Sequence, residues 1–237
     1  TGSLVRNKDK IIELSEAMKE ANATLLETGG ATPNEIWQEG DSQNAIYAVR
    51  SLGIDPSNGR ELFLKKNGEV TYTWDANDRV FCGVDQPDYR GNINTMFMWK
   101  DLSVNLSFGY EWGGQQYNST LISRVENADK KYNVDRRVYE DRWKEPGDRT
   151  FFKGINETTA TQATSRFVQD EATFTCQNLN VTYDLKGNKW LKRNLGIQTL
   201  TLKGDIADLF RISTIKQERG TSYPFSRQFS FTLSAMF

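Results

Sequence analysis

The sequence predicts an all-β fold: long antiparallel strands of the kind that build the wall of a transmembrane β-barrel, carrying long extracellular loops that contain a helix and a hairpin. Three observations predict it. Several segments alternate apolar and polar residues over more positions than a soluble strand needs. Their connections alternate between short and very long. No segment approaches the ~18 apolar residues of a membrane-spanning helix, a test that a barrel escapes because only every second residue of each strand meets lipid.

In chain order, 1–7 with its "SLVRN" reads as the end of a barrel strand. Residues 8–28 place Ile11, Leu14, Met18 and Leu25 near a 3.6-residue period and stop at Gly29 and Gly30, which predicts a helix over 8–28. "ATPNEIWQEGDSQ" reads as loop and "AIYAVRSLGID" as a short extended piece. In "GRELFLKKNGEVTYTW", Leu62 and Leu64 precede Asn67-Gly68, and Val70, Tyr72 and Trp74 follow. That pattern predicts a hairpin over 60–75 closed by a type I′ turn. "DANDRV" offers oxygen side chains of a calcium loop but has Val80 where such a loop needs glycine, so no metal is expected. The whole of 8–88 is expected to be one long extracellular loop region.

Residues 89–112 form the most regular part, a barrel hairpin. Before the Lys100-Asp101 turn, Ile93, Thr95, Phe97 and Trp99 share one face; after it, Leu102, Val104, Leu106, Phe108, Tyr110 and Trp112 do. The second arm is polar on its other face, with Ser103, Asn105, Ser107, Gly109 and Glu111. About 9 to 11 tilted residues span a bilayer, whereas an ordinary strand averages about 5 or 6. A second long loop is expected over 113–170, and three C-terminal strands over 171–237: Thr173 to Leu185, Ile197 to Ala207, and one from Phe225, the first two joined by the turn "KGNKWLKRNLG". Loops longer than about 15 residues are unusual in a compact domain, and two of them on one side predict a functional surface.

Composition narrows the function classes. The 30 basic and 31 acidic residues leave a formal charge of −1, which gives no reason to expect nucleic acid. Histidine is absent, which removes Ser-His-Asp and Cys-His catalysis and His-ligated zinc together. Mean hydropathy is −0.65 and aromatics make up 12% of the chain, so apolar character sits in a few large rings. Two cysteines, Cys82 and Cys176, make no disulfide framework and read as free thiols. No enzyme activity and no cofactor are expected.

Five long strands and a stub cannot close a membrane barrel, whose smallest members have about eight strands, so the chain is expected to be one part of a larger barrel. "AVRSLGIDPSNGRELFLKKNGEVTYTW", "YNVDRRVYEDRWKEPGD", "TSRFVQD", "ADLFRIST" and "RGTSYPFSRQFSFTLSAMF" then occur in the order and spacing of the C-terminal quarter of SusC/RagA-type TonB-dependent transporters of Bacteroidetes, which this chain resembles from Asn7 to Phe237. The resemblance implies a barrel of about 22 strands in the cell outer membrane, with a plug and a TonB-contacting segment elsewhere in the protein. It further implies a SusD-like surface lipoprotein as a lid, the TonB complex as energy source, the barrel assembly machinery as a partner, and import of oligosaccharides or peptides. An alternative is a non-transporting outer-membrane surface protein, an adhesin or glycan-binding module.

Aromatic faces stack on sugar rings while neighbouring polar groups take the hydroxyls. Trp37, Tyr47, Trp74, Tyr117, Tyr132 and Trp143, all in loop segments, are therefore the candidate ligand or lid contacts, although for any one of them loop packing or lid contact is the commoner role; Trp143 beside Pro146-Gly147 leans toward a loop anchor. Asn105, Glu111 and Asn180 are expected to face the lumen. The chain closes on "QFSFTLSAMF", where Phe229, Phe231, Leu233 and Phe237 share one face, and under the resemblance this reads as the C-terminal assembly signal.

Overall fold

The computed structural model describes residues 1–129, 131–215 and 227–237. In chain order the strands are β1 (Gly2–Arg6), β2 (Ala45–Ile54), β3 (Glu61–Leu64), β4 (Val70–Thr71), β5 (Arg79–Val84), β6 (Tyr89–Trp99), β7 (Leu102–Tyr117), β8 (Val168–Lys186), β9 (Thr199–Ser213) and β10 (Gln228–Met236). The helices are α1 (Glu16–Glu27), α2 (Ser119–Leu121), α3 (Arg137–Glu140) and α4 (Lys189–Leu195). The strands make two separate sheets, a six-stranded wall ordered β1-β6-β7-β8-β9-β10 and a four-stranded sheet ordered β4-β3-β2-β5.

The wall is antiparallel throughout, and directly opposed residues share a face. Phe97, Val104, Val181, Gly204 and Phe231 therefore form one row, and Thr95, Leu106, Leu179, Ile206 and Phe229 the next. The opposite face carries Met96, Asn105, Asn180, Asp205 and Ser230 in a single row. Apolar residues on β6 and β10 are uncovered, with Phe97 60% and Phe231 71% exposed. The polar row is stitched across strands: Asn105 Nδ2 donates to Asn180 Oδ1 at 3.4 Å, and Asn180 Nδ2 to Asp205 Oδ1 at 2.5 Å.

One fault line runs across this sheet. Gln177 of β8 is unpaired between Asn178 and Cys176, and Asp208 and Leu209 of β9 stand opposite it. Asp208 takes φ +51°, a left-handed conformation that Asp tolerates because its short side chain bonds locally. The extra residue shifts the alternation in β8, so odd residues hold the apolar face below it and Cys176 and Phe174 above it. Phe108, Phe174 and Phe210 consequently meet, with Phe108 and Phe174 stacked at 5.5 Å and Phe174 and Phe210 at 6.0 Å. Gly109 leaves room on the other face for the Gln177 side chain, whose Nε2 would lie 2.4 Å from a Cβ there and would have to shift.

The two long excursions, 8–88 and 113–170, fold against each other. In β2 the consecutive residues Ile46, Tyr47, Ala48 and Val49 are all buried, which a strand covered on both faces allows. The second excursion adds a core of Leu121, Ile122, Val125, Val138, Phe152 and Phe167. Val49 and Thr164 form a parallel bridge between the two, and Gly154 N–H donates to the Gly59 carbonyl at 2.9 Å. Gly59 has φ +72° and lies so close to Trp143 that a Cβ would come within 2.4 Å of the ring.

Several sequence expectations change. The helix occupies Glu16–Glu27 rather than 8–28, because Ser15 caps it by accepting from Met18 N–H. The segment before it is held extended: Ile11 N–H donates to the Asp41 carbonyl at 2.8 Å, and Ile11 accepts from Gly40 at 2.8 Å. The 60–75 hairpin closes through Lys65, which accepts from Gly68 N–H at 3.0 Å and donates to Glu69 at 2.9 Å. Among the described non-glycine residues, positive φ occurs at Lys100 and Asp208 and not at Asn67, so the turn is a three-residue loop ending on Gly68 rather than type I′. "AIYAVRSLGID" is a full strand of the four-stranded sheet, and "KGNKWLKRNLG" contains α4, capped by Asn188. The wall strands β7, β8 and β9 run to 16, 19 and 15 residues, beyond the ends that alternation marked. The start of the last strand at Phe225 and the loop before it lie outside the described residues.

Candidate functional site

The two excursions are joined at a buried charge cluster that no sequence spacing announced. Arg166 Nη2 lies 2.7 Å from Glu61 Oε2 and 2.8 Å from Glu126 Oε1. The three side chains are 4%, 6% and 0% exposed respectively. Burial by itself would weaken the guanidinium's hold on its proton; the two carboxylates more than reverse that, and its pKa is raised. Glu61 belongs to the first excursion and Glu126 to the second, so one cation fastens both loops. Ser51 Oγ donates to Glu61 at 2.6 Å and Thr161 Oγ1 to Glu126 at 3.3 Å, which satisfies further lone pairs.

Two neighbouring arginines act on backbone instead. Arg142 Nη2 donates to the carbonyls of Val125 and Glu126 at 2.5 Å each, and burial lowers its pKa. Arg79 closes the end of α1, with Nη1 on the Leu25 carbonyl at 3.0 Å and Nη2 on that of Thr28 at 2.5 Å. Free carbonyls at a helix C-terminus attract a cation, and Arg79 supplies it.

Beside the cluster, an open cleft of about 530 Å³ lies between the β3–β4 hairpin and residues 157–162. Trp74 and Tyr72 supply its aromatic wall. The Trp74 ring is fixed by Nε1–H donating to the Ala163 carbonyl at 3.1 Å and by the Arg79 guanidinium 5.4 Å from its centroid. Tyr72 is fixed by its hydroxyl, which donates to Asp55 Oδ2 at 2.5 Å, and by Arg60 4.8 Å from its ring centre. That hydrogen bond also lowers the Asp55 pKa. Burial lowers the pKa of Lys153, which donates to the Thr159 carbonyl. A second cleft, about 480 Å³, is lined by Trp37, Tyr117, Glu35 and Asp85.

The six predicted aromatics thus separate. Trp74 lines one cleft; Trp37 and Tyr117 line the other, with Tyr117 donating to the Ala31 carbonyl at 2.9 Å. Tyr47 does not reach a surface: it is 3% exposed and donates to Asp41 Oδ2, and burial raises its pKa. Trp143 is pinned over Gly59, with Nε1–H on the Pro56 carbonyl at 2.9 Å. Tyr132 lines neither cleft and is 75% exposed. Asn105, Asn180 and Glu111 lie on the polar face of the wall; Phe229, Phe231 and Leu233 lie on the apolar face of β10, all exposed. Arg166, Glu61 and Glu126 were missed because their partners lie far apart in sequence, Glu61 and Arg166 by 105 residues. Cys82 and Cys176 are both free.

A two-faced antiparallel wall carrying a folded loop body defines the class: an all-β fold in which one long sheet bears a smaller sheet and its loops. Among the described residues no helix is long and apolar enough to cross a membrane. Solved structures with this fold include the RagAB peptide transporter, at 19% identity over 90% of this chain and 23% of that one, with a TM-score of 0.68. The RagAB peptide importer in its 'open-open' state matches at 18% identity over 100% of this chain and 26% of that one, with a TM-score of 0.75. In its 'closed-closed' state it matches at 17% identity over 76% of this chain and 20% of that one, with a TM-score of 0.59. The chain therefore spans about a quarter of the length of the solved chains it matches. No family model and no curated protein matches the sequence.

Proposed function

We propose that the chain supplies barrel wall and extracellular loops, from the C-terminal quarter, of a SusC/RagA-type TonB-dependent outer-membrane importer. The observation that carries this is the uncovered apolar face that continues in register from Phe97 through Val104 and Val181 to Phe231. A face of that extent is unstable against water and is what lipid requires of a barrel exterior. The stitched polar face, with Asn105, Asn180 and Glu111, then looks into the lumen. The folded loop body stands over the pore mouth, where a SusD-like lipoprotein closes on it. The cargo is oligosaccharide or peptide, and the chain itself performs no chemistry.

The likeness to the peptide transporter structures supports this reading at the level of fold. Deleting the gene for the whole protein and following uptake of fluorescent peptides and labelled oligosaccharides tests it. Loss of uptake of one cargo class, restored by the intact gene, is expected. Undiminished uptake and growth on every nutrient, with the protein still found in the outer membrane, would leave the adhesin or glycan-binding alternative standing.

A further inference from the structure

We propose that α4, in the β8–β9 connection, is a headgroup-binding helix: its cations take the phosphates of anionic phospholipid in the leaflet at the short-turn end of the wall. The proposal rests on the barrel reading for the presence of a bilayer, and it names a ligand which that reading leaves open.

Register places both short connections at one end of the wall. Trp99 pairs with Leu102 across the Lys100-Asp101 turn, Leu102 with Tyr183, and Lys186 with Thr199 across the 187–198 connection. Asp184 N–H donates to the Asp101 carbonyl at 2.9 Å, which sets the two turns side by side. The excursions 8–88 and 113–170 leave from the opposite end. Leu185, Leu200 and Ala235 form the last full row of the apolar face here, and α4 begins at Lys189. The chain from Leu185 to Lys189 reaches at most about 14 Å, so the helix stands where the apolar face gives out.

Local signals make this helix. Asn188 accepts from the N–H groups of Trp190 and Leu191, and Gly196 closes the other end at φ +72°. So short a helix is not held by its backbone alone, and burial of an apolar side normally completes it. At about 100° per residue, Trp190, Leu191 and Leu195 fall on one side and Lys189, Lys192 and Arg193 on the other. The apolar side is uncovered, with Trp190 63% and Leu195 52% exposed. The basic side is unanswered among the described residues: Asp184 is taken by Lys186 at 3.2 Å and Asp205 by Lys203 at 3.6 Å. Lys100 repeats the pattern in the neighbouring turn, its ammonium 4.9 Å from the centre of the exposed Trp99 ring. Exposed indoles beside four cations, with Asp101 as the one exposed acid of the two turns, select an occupant that is anionic and apolar at once. A soluble anion satisfies only the cations and an apolar protein surface only the indoles. A phospholipid leaflet satisfies both, and the apolar row beside the helix calls for it already.

The test is lipid retention by the purified full-length protein in detergent, counted by native mass spectrometry. The probes are dioleoyl phosphatidylglycerol and dioleoyl phosphatidylcholine, at about 0.1 M and about 0.5 M salt. Phosphatidylglycerol is expected to be retained about tenfold better, with the preference shrinking at high salt. Lys189→Gln, Lys192→Gln and Arg193→Gln together should weaken its retention about tenfold or more, and Trp190→Ser about threefold. Lys8→Gln, Lys66→Gln and Lys131→Gln together remove the same charge from exposed positions of the loop body and should change nothing. Equal retention of the two lipids, or a helix variant within twofold of the loop variant, overturns the proposal. So does displacement of the lipid by inorganic phosphate or by polyglutamate, the marks of a free-anion or an acidic-protein site. Membrane residence is scored separately, by whether alkaline carbonate releases the protein from outer-membrane vesicles. Release would sink the barrel reading and this proposal with it; residence without lipid preference sinks the proposal alone.

Discussion

The wall and the loop body are made from one chain under opposite rules. In the wall, large apolar side chains such as Phe231 and Phe97 point outward and the polar side chains bond to each other across strands. In the loop body, Phe167 and Val125 are fully buried, and a charge cluster sits at the centre with them. The wall's stability is spread along its ladders, so no single side chain holds it together. The body's stability is concentrated in a few long-range ties, so a single side chain can undo it.

Removing Arg166 gives the sharpest break. Arg166→Leu leaves Glu61 and Glu126 buried without a cation, and loss of one partner from a buried ion pair costs about 3–5 kcal/mol. Protease digestion of intact cells should then cut within 8–88 and 113–170 while the wall fragment stays protected. Unchanged loop resistance would show that the body does not depend on this tie.

Phe231→Lys tests the other rule. It puts a charge in the middle of an apolar row, at about 2–4 kcal/mol if that row meets the bilayer midplane. Lower outer-membrane levels are expected with the loop body's folding untouched, and deletion of Phe237 should lower levels too if the last strand is an assembly signal. Equal membrane levels of both variants would count against lipid contact and the signal alike.

Two smaller changes refine the contrast. Gly59→Ala strains a left-handed residue and collides with Trp143, so about 1–3 kcal/mol of loop stability should be lost, read as a lower melting temperature. Asp208→Val places a β-branched residue at φ +51° and should cost about 1–2 kcal/mol in the wall. The smallest effect is one of pH. Asp9, just after β1, accepts from Gln43 N–H at 2.9 Å and from Ser42 Oγ at 2.8 Å, and these bonds lower its pKa. A carboxylate with a depressed folded pKa contributes stability above its unfolded pKa and loses it as pH falls through the folded one. Acid sensitivity of the 8–15 segment below about pH 4 should therefore be present in the wild type and absent from Asp9→Asn, as followed by limited proteolysis.

Legibility in the sequence followed the same division. Period-2 alternation marked Phe97, Val104, Val181 and Phe231 as one face because wall strands repeat a local rule at every second residue. Its apolar set stopped at Leu179 in one strand and the next strand ended at Ala207, since the unpaired Gln177, opposite Asp208 and Leu209, shifts the phase there. In the loop body local pattern ruled less. Ile11 and Leu14 fit a helical period yet are extended, because their backbone groups bond to residues 39–41. Of the six aromatics nominated by type and position, three reach a cleft. Their neighbour Arg166 left no signature, because ties across 105 and 40 residues carry no local period.

The position of Arg166 in the chain also sets an order of events during biogenesis. Glu61 and Glu126 are both made before it, and neither carboxylate has its ion-pair partner until that guanidinium arrives. The body of two loops therefore cannot close fully in stages as each emerges. The tie between the two loops is complete only once residue 166, two positions before β8, is in place, so that full closure of the surface follows completion of the segment that leads back into the wall.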